Sequence, residues 1–326
     1  MNQLYPLKFK PILKDRIWGG NKLKTLYGKQ GQCDVCGESW EISAVPDDIS
    51  VVENGFLKNN SLIELIEVYM GDLVGDKVYD QFGLNFPLLI KFIDANDDLS
   101  IQVHPNDDLA LKRHESFGKT EMWYILDHKK DAGLISGFCK PTSKEEYVNH
   151  LNNKTLKSLL NRVDVHKGDA FFIPAGRVHA IGAGILLAEI QQTSDITYRI
   201  YDWDRVDSRG KSRELHTDLA LDAIDYKYYN DIKTEYADKE NEAVNIANCQ
   251  YFTTNKLKLS QITERDYIDK DSFVIYICCD GAFSLVYNGN EKLEVSKGQT
   301  VLIPAILKDI RIEPKPATEL LEVYID

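Results

Sequence analysis

Along much of this chain apolar and polar residues alternate over short runs, the period of a half-buried strand. The most informative run is Leu-Ser-Ile-Gln-Val-His-Pro-Asn-Asp at 99–107. Residues two apart on a strand share a face, so Gln102 and His104 point one way while Ile101 and Val103 point the other. Pro105 keeps His104 extended, and Asn106 or Asp107 can cap a helix over 107–117. Further strands are expected at 38–43, 86–93, 122–126, 169–174, 186–191 and 198–201. Helical spacing (Leu62, Leu65, Ile66, Tyr69) predicts a helix over 62–69 with Gly71 as its stop. A capping-box pattern at 142–146 opens a helical insert that runs on through 156–163, and 213–228 has helical periodicity too. Residues 230–244 are polar and poor in large aliphatics, the best linker candidate. Beyond them come short strands at 256–259, 273–278, 283–287, 300–303 and 319–324. Many short strands punctuated by Gly, Pro, Asn and Asp favour a mainly β sandwich or barrel over a parallel α/β fold.

The length of 326 residues allows two domains. A net charge of -12 argues against nucleic acid or an anionic membrane surface as the main partner, but a few converging cations would still accept an anionic metabolite. The opening residues lack the basic and apolar regions of a signal peptide, and no apolar run approaches the ~20 residues of a membrane helix, so a cytoplasmic protein is expected. There the six cysteines should stay reduced. Cys33 and Cys36 form a CxxC with no second pair at zinc-ribbon spacing, so they are read as ordinary loop cysteines.

An internal repeat sharpens the picture. Lys-Gly-Asp-Ala-Phe-Phe-Ile-Pro-Ala at 167–175 matches Lys-Gly-Gln-Thr-Val-Leu-Ile-Pro-Ala at 297–305 without a gap, and Tyr124 before the first copy matches Tyr276 before the second. Five residues after the proline the first copy has His179 and the second Asp309. Three before the tyrosine, Glu121 is replaced by Phe273. Polar chemistry is confined to the first copy.

That copy offers Gln102, His104, Glu121 and His179, all at strand ends or turns. Two imidazoles, a carboxylate and an amide oxygen suit a borderline divalent ion such as zinc. His166 falls before its strand and is expected to be exposed, and His114, His128, His150 and His216 to be solvated. A second, cationic group consists of Lys91, inside an apolar strand, Lys119, on the face of Glu121, and Arg199, among aromatics at 198–203. The plainer alternatives are a lysine snorkelling from a sheet edge and an Arg199 ion pair with Asp202 or Asp204. Convergence of the three would make a pocket for a phosphorylated or carboxylated small molecule.

The motifs at 37–43, 102–107, 118–124, 168–179 and 198–205, with the strand at 87–93, resemble type I mannose-6-phosphate isomerase in its short bacterial form, in order and over nearly the whole chain. The resemblance implies two cupin (jelly-roll) domains: a metal-binding one at 1–235 with helical insertions near 58–80, 107–117, 142–163 and 213–228, and a degenerate one at 245–326. It implies one zinc ion on His104, Glu121 and His179 with Gln102 as fourth ligand, and Arg199, Lys119 and Lys91 in the substrate pocket. The implied reaction interconverts mannose 6-phosphate and fructose 6-phosphate through a cis-enediol(ate), in a monomer or homodimer. An iron oxygenase on the same fold and a non-catalytic sugar-phosphate-binding cupin are the alternatives.

Overall fold

A computed structural model describes residues 3–206 and 209–326. Its first half is a sandwich of two antiparallel sheets. One has six strands, in the spatial order Ile12–Gly20, Cys36–Ile42, Leu88–Ala95, Ile185–Gln192, Glu121–His128 and Ala170–Ile173. The other has five, in the order Tyr198–Tyr201, Ile101–Val103, His179–Ala180, Gly133–Phe138 and Leu160–Asp164. A seven-stranded sheet makes up the second half, centred on the long strands Val274–Tyr287 and Asp309–Tyr324.

Both faces of the six-stranded sheet are covered, so Leu88–Ala95 and Ile185–Gln192 are buried at every position. Period-2 geometry then sorts their side chains. Ile93, Trp123 and Leu187 face the five-stranded sheet, while Ile90, Phe92, Met122 and Ala188 join the core shared with the second half. Lys91, Glu121 and Glu189 follow the first set and look into the sandwich. The shared core is continuous: Phe86 packs on Phe273 at 4.6 Å between ring centres, and Leu7 exchanges backbone hydrogen bonds with Leu302 at 2.8 and 2.9 Å. Gly75 (φ 95°) lies so close to the other half that an added Cβ would stand 2.4 Å from the Asp271 carbonyl oxygen. The Asp271 carboxylate in turn caps the helix Asp76–Phe82 by accepting from the Asp76 and Lys77 amides.

Several elements differ from the sequence reading. The helix expected over 62–69 does break one residue before Gly71, at Met70 (φ 44°), but a second helical piece follows the kink, so the whole element spans Leu62–Val74. Residues 160–163 are not helical. A 3-10 turn at Leu156–Leu159 gives way to the strand Leu160–Asp164, because the edge of Gly133–Phe138 supplies backbone partners. The helix expected over 213–228 is only Thr217–Ala223, and that over 107–117 ends at His114, where Glu115 is left-handed (φ 52°). Cys33 and Cys36, expected reduced, are joined in a disulfide, because the turn between them brings their Cα atoms to 5.5 Å. Within the expected linker, residues 233–234 lie against the strand Ala170–Ile173, with Thr234 donating to the Ala170 carbonyl, and Asn241 donates to the Lys258 carbonyl of the second half.

In the repeat, Ile173 pairs with Glu121, and its counterpart Ile303 pairs with Val274 rather than Phe273. The tyrosine spacing therefore misplaces Glu121's counterpart by one residue. Asp309, opposite His179 in the repeat, is exposed. The second half does carry one buried ionic group of its own. Glu322, fully buried, accepts from Arg265, Tyr267 and Asn255. Truncation by Glu322→Ala leaves the guanidinium and a buried phenol without their acceptor and should cost about 3–5 kcal/mol, read as a lowered urea midpoint. An unchanged midpoint would contradict this account.

Candidate active site

Three elements bring the polar set together. His104 follows Ile101–Val103, His179 opens the neighbouring strand, and Glu121 opens Glu121–His128 in the facing sheet. One potential ligand atom from each of His104, Glu121 and His179 lies within 4.8 Å of the others, and all three residues are buried. His104 Nε2 is 3.5 Å from Glu121 Oε2, and His179 Nε2 is 3.4 Å from Glu121 Oε1. Each imidazole donates Nδ1–H to a backbone carbonyl, His104 to Ile196 at 2.9 Å and His179 to Arg177 at 2.8 Å. Those bonds select the tautomer whose Nε2 lone pair faces inward.

Electrostatics keep both rings neutral. Burial, reinforced by the nearby Lys119 charge, holds His104 well below the ordinary histidine range. Burial also takes His179 down to about 4. Burial, with the Glu189 charge added, pushes Glu121 up to about 8 although Lys119 and Lys91 oppose it. His104 Nε2 and both Glu121 carboxylate oxygens are buried without a hydrogen-bond partner. Acceptor atoms that converge in the dark interior without donors are costly unless a cation completes them, so the residues fit a divalent ion with nitrogen and oxygen ligands.

Gln102 sits beside His179 in register, with its amide nitrogen 3.2 Å from His179 Nε2. Together with Lys119 it leads into a cavity of about 290 Å³ that Lys91, Arg199, Arg16 and Arg213 also line. The three cations expected to converge do so. Lys91 is no edge residue: it is buried in a central strand and donates to Glu189 at 3.0 Å and Gln191 at 2.6 Å. Lys119 lies 3.4 Å from Glu121, and the carboxylates of Glu121, Glu189 and Glu38 raise its pKa against the opposing effect of burial. Arg199 does not pair with Asp202 or Asp204. Asp202 is taken by Arg205 and Arg213, and Arg199 donates Nη1 to the Glu214 carbonyl while its Nε is buried without a partner. Lys91, Lys119, Arg16 and Arg213 each have a carboxylate; among the described residues Arg199 alone of the cavity's cations has none within ion-pair distance. A larger hollow of about 610 Å³, bounded by Phe82, Phe117 and Tyr251, contains none of the triad.

His166 is exposed as expected. The four histidines expected to be solvated all have hydrogen-bond partners, two of them local (His128 with the Lys129 carbonyl, His150 with Thr155) and two distant: His114 meets the Tyr198 hydroxyl at 2.8 Å, and His216 Nδ1 accepts from the Arg199 amide at 3.1 Å. Glu38 and Glu189 went unrecognised as cavity residues. Glu189 interrupts the apolar run 185–190 just as Lys91 interrupts 88–93, and the two are cross-strand partners, so the same argument finds it. Glu38 also has a readable titration. Burial opposes its charge, but Lys91, Arg16 and the Trp40 indole outweigh burial and hold it at about 2. A depressed folded-state pKa stabilises fully above the unfolded value and is lost as pH falls through about 2. The stability gap between the wild type and Glu38→Gln should therefore be widest near neutrality and shrink below pH about 4, as followed by urea unfolding.

The sandwich with its candidate metal centre and the seven-stranded second half, which has no such cluster among the described residues, define a two-cupin protein. Residues 6–137 match the family Phosphomannose isomerase type I, catalytic domain, and 242–324 match Mannose-6-phosphate isomerase, cupin domain. The chain is 38% identical to a mannose-6-phosphate isomerase of Bacillus subtilis, over 94% of this chain and 96% of that one. It is 34% identical to a mannose-6-phosphate isomerase of Streptococcus mutans, over 93% of each. A crystal structure of a mannose 6-phosphate isomerase from Bacillus subtilis superposes with a TM-score of 0.86 at 34% identity, covering 98% of this chain and 99% of that one. The chain belongs to the type I mannose-6-phosphate isomerase family. Among the described residues no helix is long and apolar enough to cross a membrane.

Proposed function

We propose that this chain interconverts mannose 6-phosphate and fructose 6-phosphate through a cis-enediol(ate), with zinc held by His104, Glu121, His179 and Gln102. The observation that supports it best is a set of buried, inward-facing acceptor atoms at the base of a cationic cavity, in a member of this family. A zinc ion bound there supplies Lewis-acid polarisation and orients substrate oxygens. Gln102 joins the ligand set by a half-turn of its terminal amide, which exchanges nitrogen for oxygen.

The reaction moves a proton between C1 and C2 and leaves transient negative charge on oxygen. Arg199 stands opposite Gln102 in register, beside the ligand set, and its uncompensated charge and free Nε–H serve that oxygen. Lys119, which keeps its proton, acts as a donor to substrate oxygen rather than as a base. Lys91, held by Glu189 and Gln191, fixes a further oxygen of the sugar phosphate at the cavity wall. Residues 1–235 carry this machinery, and 245–326 brace it.

The test is turnover of mannose 6-phosphate by purified protein before and after chelation and with zinc restored. Activity should vanish on complete metal removal and return with zinc, and metal analysis should find zinc. Turnover by protein shown to be free of metal would overturn the ligand assignment. Iron in the purified protein and no isomerisation would favour an oxygenase.

A further inference from the structure

The segment that carries Lys119 is held at each residue, at Thr120 by the neighbouring strand of its own sheet and at Gly118 and Lys119 from outside it. Gly118 donates its amide to Asp107 Oδ1 at 2.8 Å. Lys119 donates its amide to the Pro105 carbonyl at 3.1 Å. Thr120 donates its amide to Gln192 Oε1 at 2.8 Å, and Gln192 returns its own amide to the Thr120 carbonyl at 3.1 Å. The Gln192 side-chain nitrogen then closes the circuit by donating to Asp107 Oδ1 at 2.9 Å. One carboxylate oxygen thus gathers both ends of the segment. The other accepts from the hydroxyl of Tyr251, a residue of the second half just before the strand Thr253–Leu259.

The approach is tight. A Cβ on Gly118 would stand 2.5 Å from the Asp107 amide nitrogen and 2.9 Å from Asp107 Oδ1, so only glycine lets the backbone come this near. Burial and the bond to Asp107 push the Tyr251 hydroxyl up to about 12, so it remains a donor across the working pH range. Side chains two residues apart on the extended segment share a face, so whatever sets the backbone of 118–120 sets Lys119 Nζ and the Glu121 carboxylate together.

We propose that Asp107 is a positioning residue for the reaction. With Gln192 and the Tyr251 hydroxyl it clamps Gly118–Thr120 and thereby places the Lys119 ammonium in the substrate cavity. The second half, which offers no metal-ligand cluster among its described residues, takes part in catalysis through Tyr251. The inference rests on the functional reading above. A misplacement of about 1 Å in a catalytic group costs on the order of 100-fold in rate, so a clamp remote from substrate should register in turnover.

The test compares the wild type with Tyr251→Phe, Asp107→Asn and Asp107→Ala. Turnover of mannose 6-phosphate by the zinc-loaded wild type is measured first; its absence would defeat the functional reading itself. Given wild-type turnover, Tyr251→Phe should lower kcat about threefold to tenfold and Asp107→Ala about 100-fold, with KM changed less than kcat and bound metal retained. Amide hydrogen exchange should quicken at Gly118 and Thr120 but not through Leu88–Ala95 or Ile185–Gln192. Should Asp107→Ala fail to fold, the two milder variants decide. Wild-type kcat in both of them would overturn the proposal. So would faster exchange spread evenly over the sheet in step with a fall in melting temperature, the signature of a purely structural role.

Discussion

Glu121→Gln should abolish turnover, by about three orders of magnitude or more, yet leave a metal-free protein that melts close to the metal-free wild type. Both halves of this expectation follow from one observation. The Glu121 oxygens are buried without a hydrogen-bond donor, with only the Lys119 ammonium at 3.4 Å to offset their charge, and face two neutral imidazoles whose lone pairs point back at them. Without a cation this cluster is a local instability, visible in the carboxyl's rise to about 8. An amide of the same shape carries no charge, and the bare carboxyl with its raised pKa is already largely uncharged at neutral pH. The amide's single NH2 group can donate to His104 or His179, so the bare protein exchanges the Lys119 contact for one hydrogen bond and loses little. The substitution also removes the only anionic ligand, and the site no longer holds a divalent ion firmly. Added zinc should raise the melting temperature of the wild type and leave that of the variant unmoved. A variant that keeps wild-type turnover would remove Glu121 from the ligand set, and one that still gains stability from zinc would show that the carboxylate is dispensable for binding.

Arg199→Ala should lower kcat by about 100- to 1,000-fold while metal content stays at the wild-type level. Among the described residues its guanidinium is the one cavity cation without a carboxylate of its own, and burial works against its charge. Lys91, Lys119, Arg16 and Arg213 already spend much of their field on Glu189, Glu121, Glu38 and Asp202. Arg199→Lys should restore little, because an ammonium cannot keep the bond to the Glu214 carbonyl and aim a second N–H into the cavity from a fixed fork. Loss of bound metal in Arg199→Ala would instead make the residue part of the ligand scaffold.

How far the chain reveals this in advance depends on the range of the interactions involved. Gln102, His104, Glu121 and His179 announce themselves through alternation and through a repeat that retains them in one copy only. Lys91 stands out because a charge inside an apolar strand requires a partner, and Glu189, opposite it, was open to the same reasoning. Local patterns misled where a distant surface supplied the deciding bonds. Leu160–Asp164 became a strand because an edge was free beside it. The Cys33–Cys36 disulfide arose from a turn whose closeness the spacing alone does not show.

By itself the sequence determined the β architecture, the duplication, and the residue types of the candidate metal site, because these rest on period, repetition and chemistry carried by neighbours in the chain. Only the tertiary structure decided which cations are already neutralised, which acceptors are left bare, and that Tyr251 reaches Asp107 from the other half. Those are properties of pairs far apart in sequence, where a shift of an ångström separates a hydrogen bond from an orphaned charge.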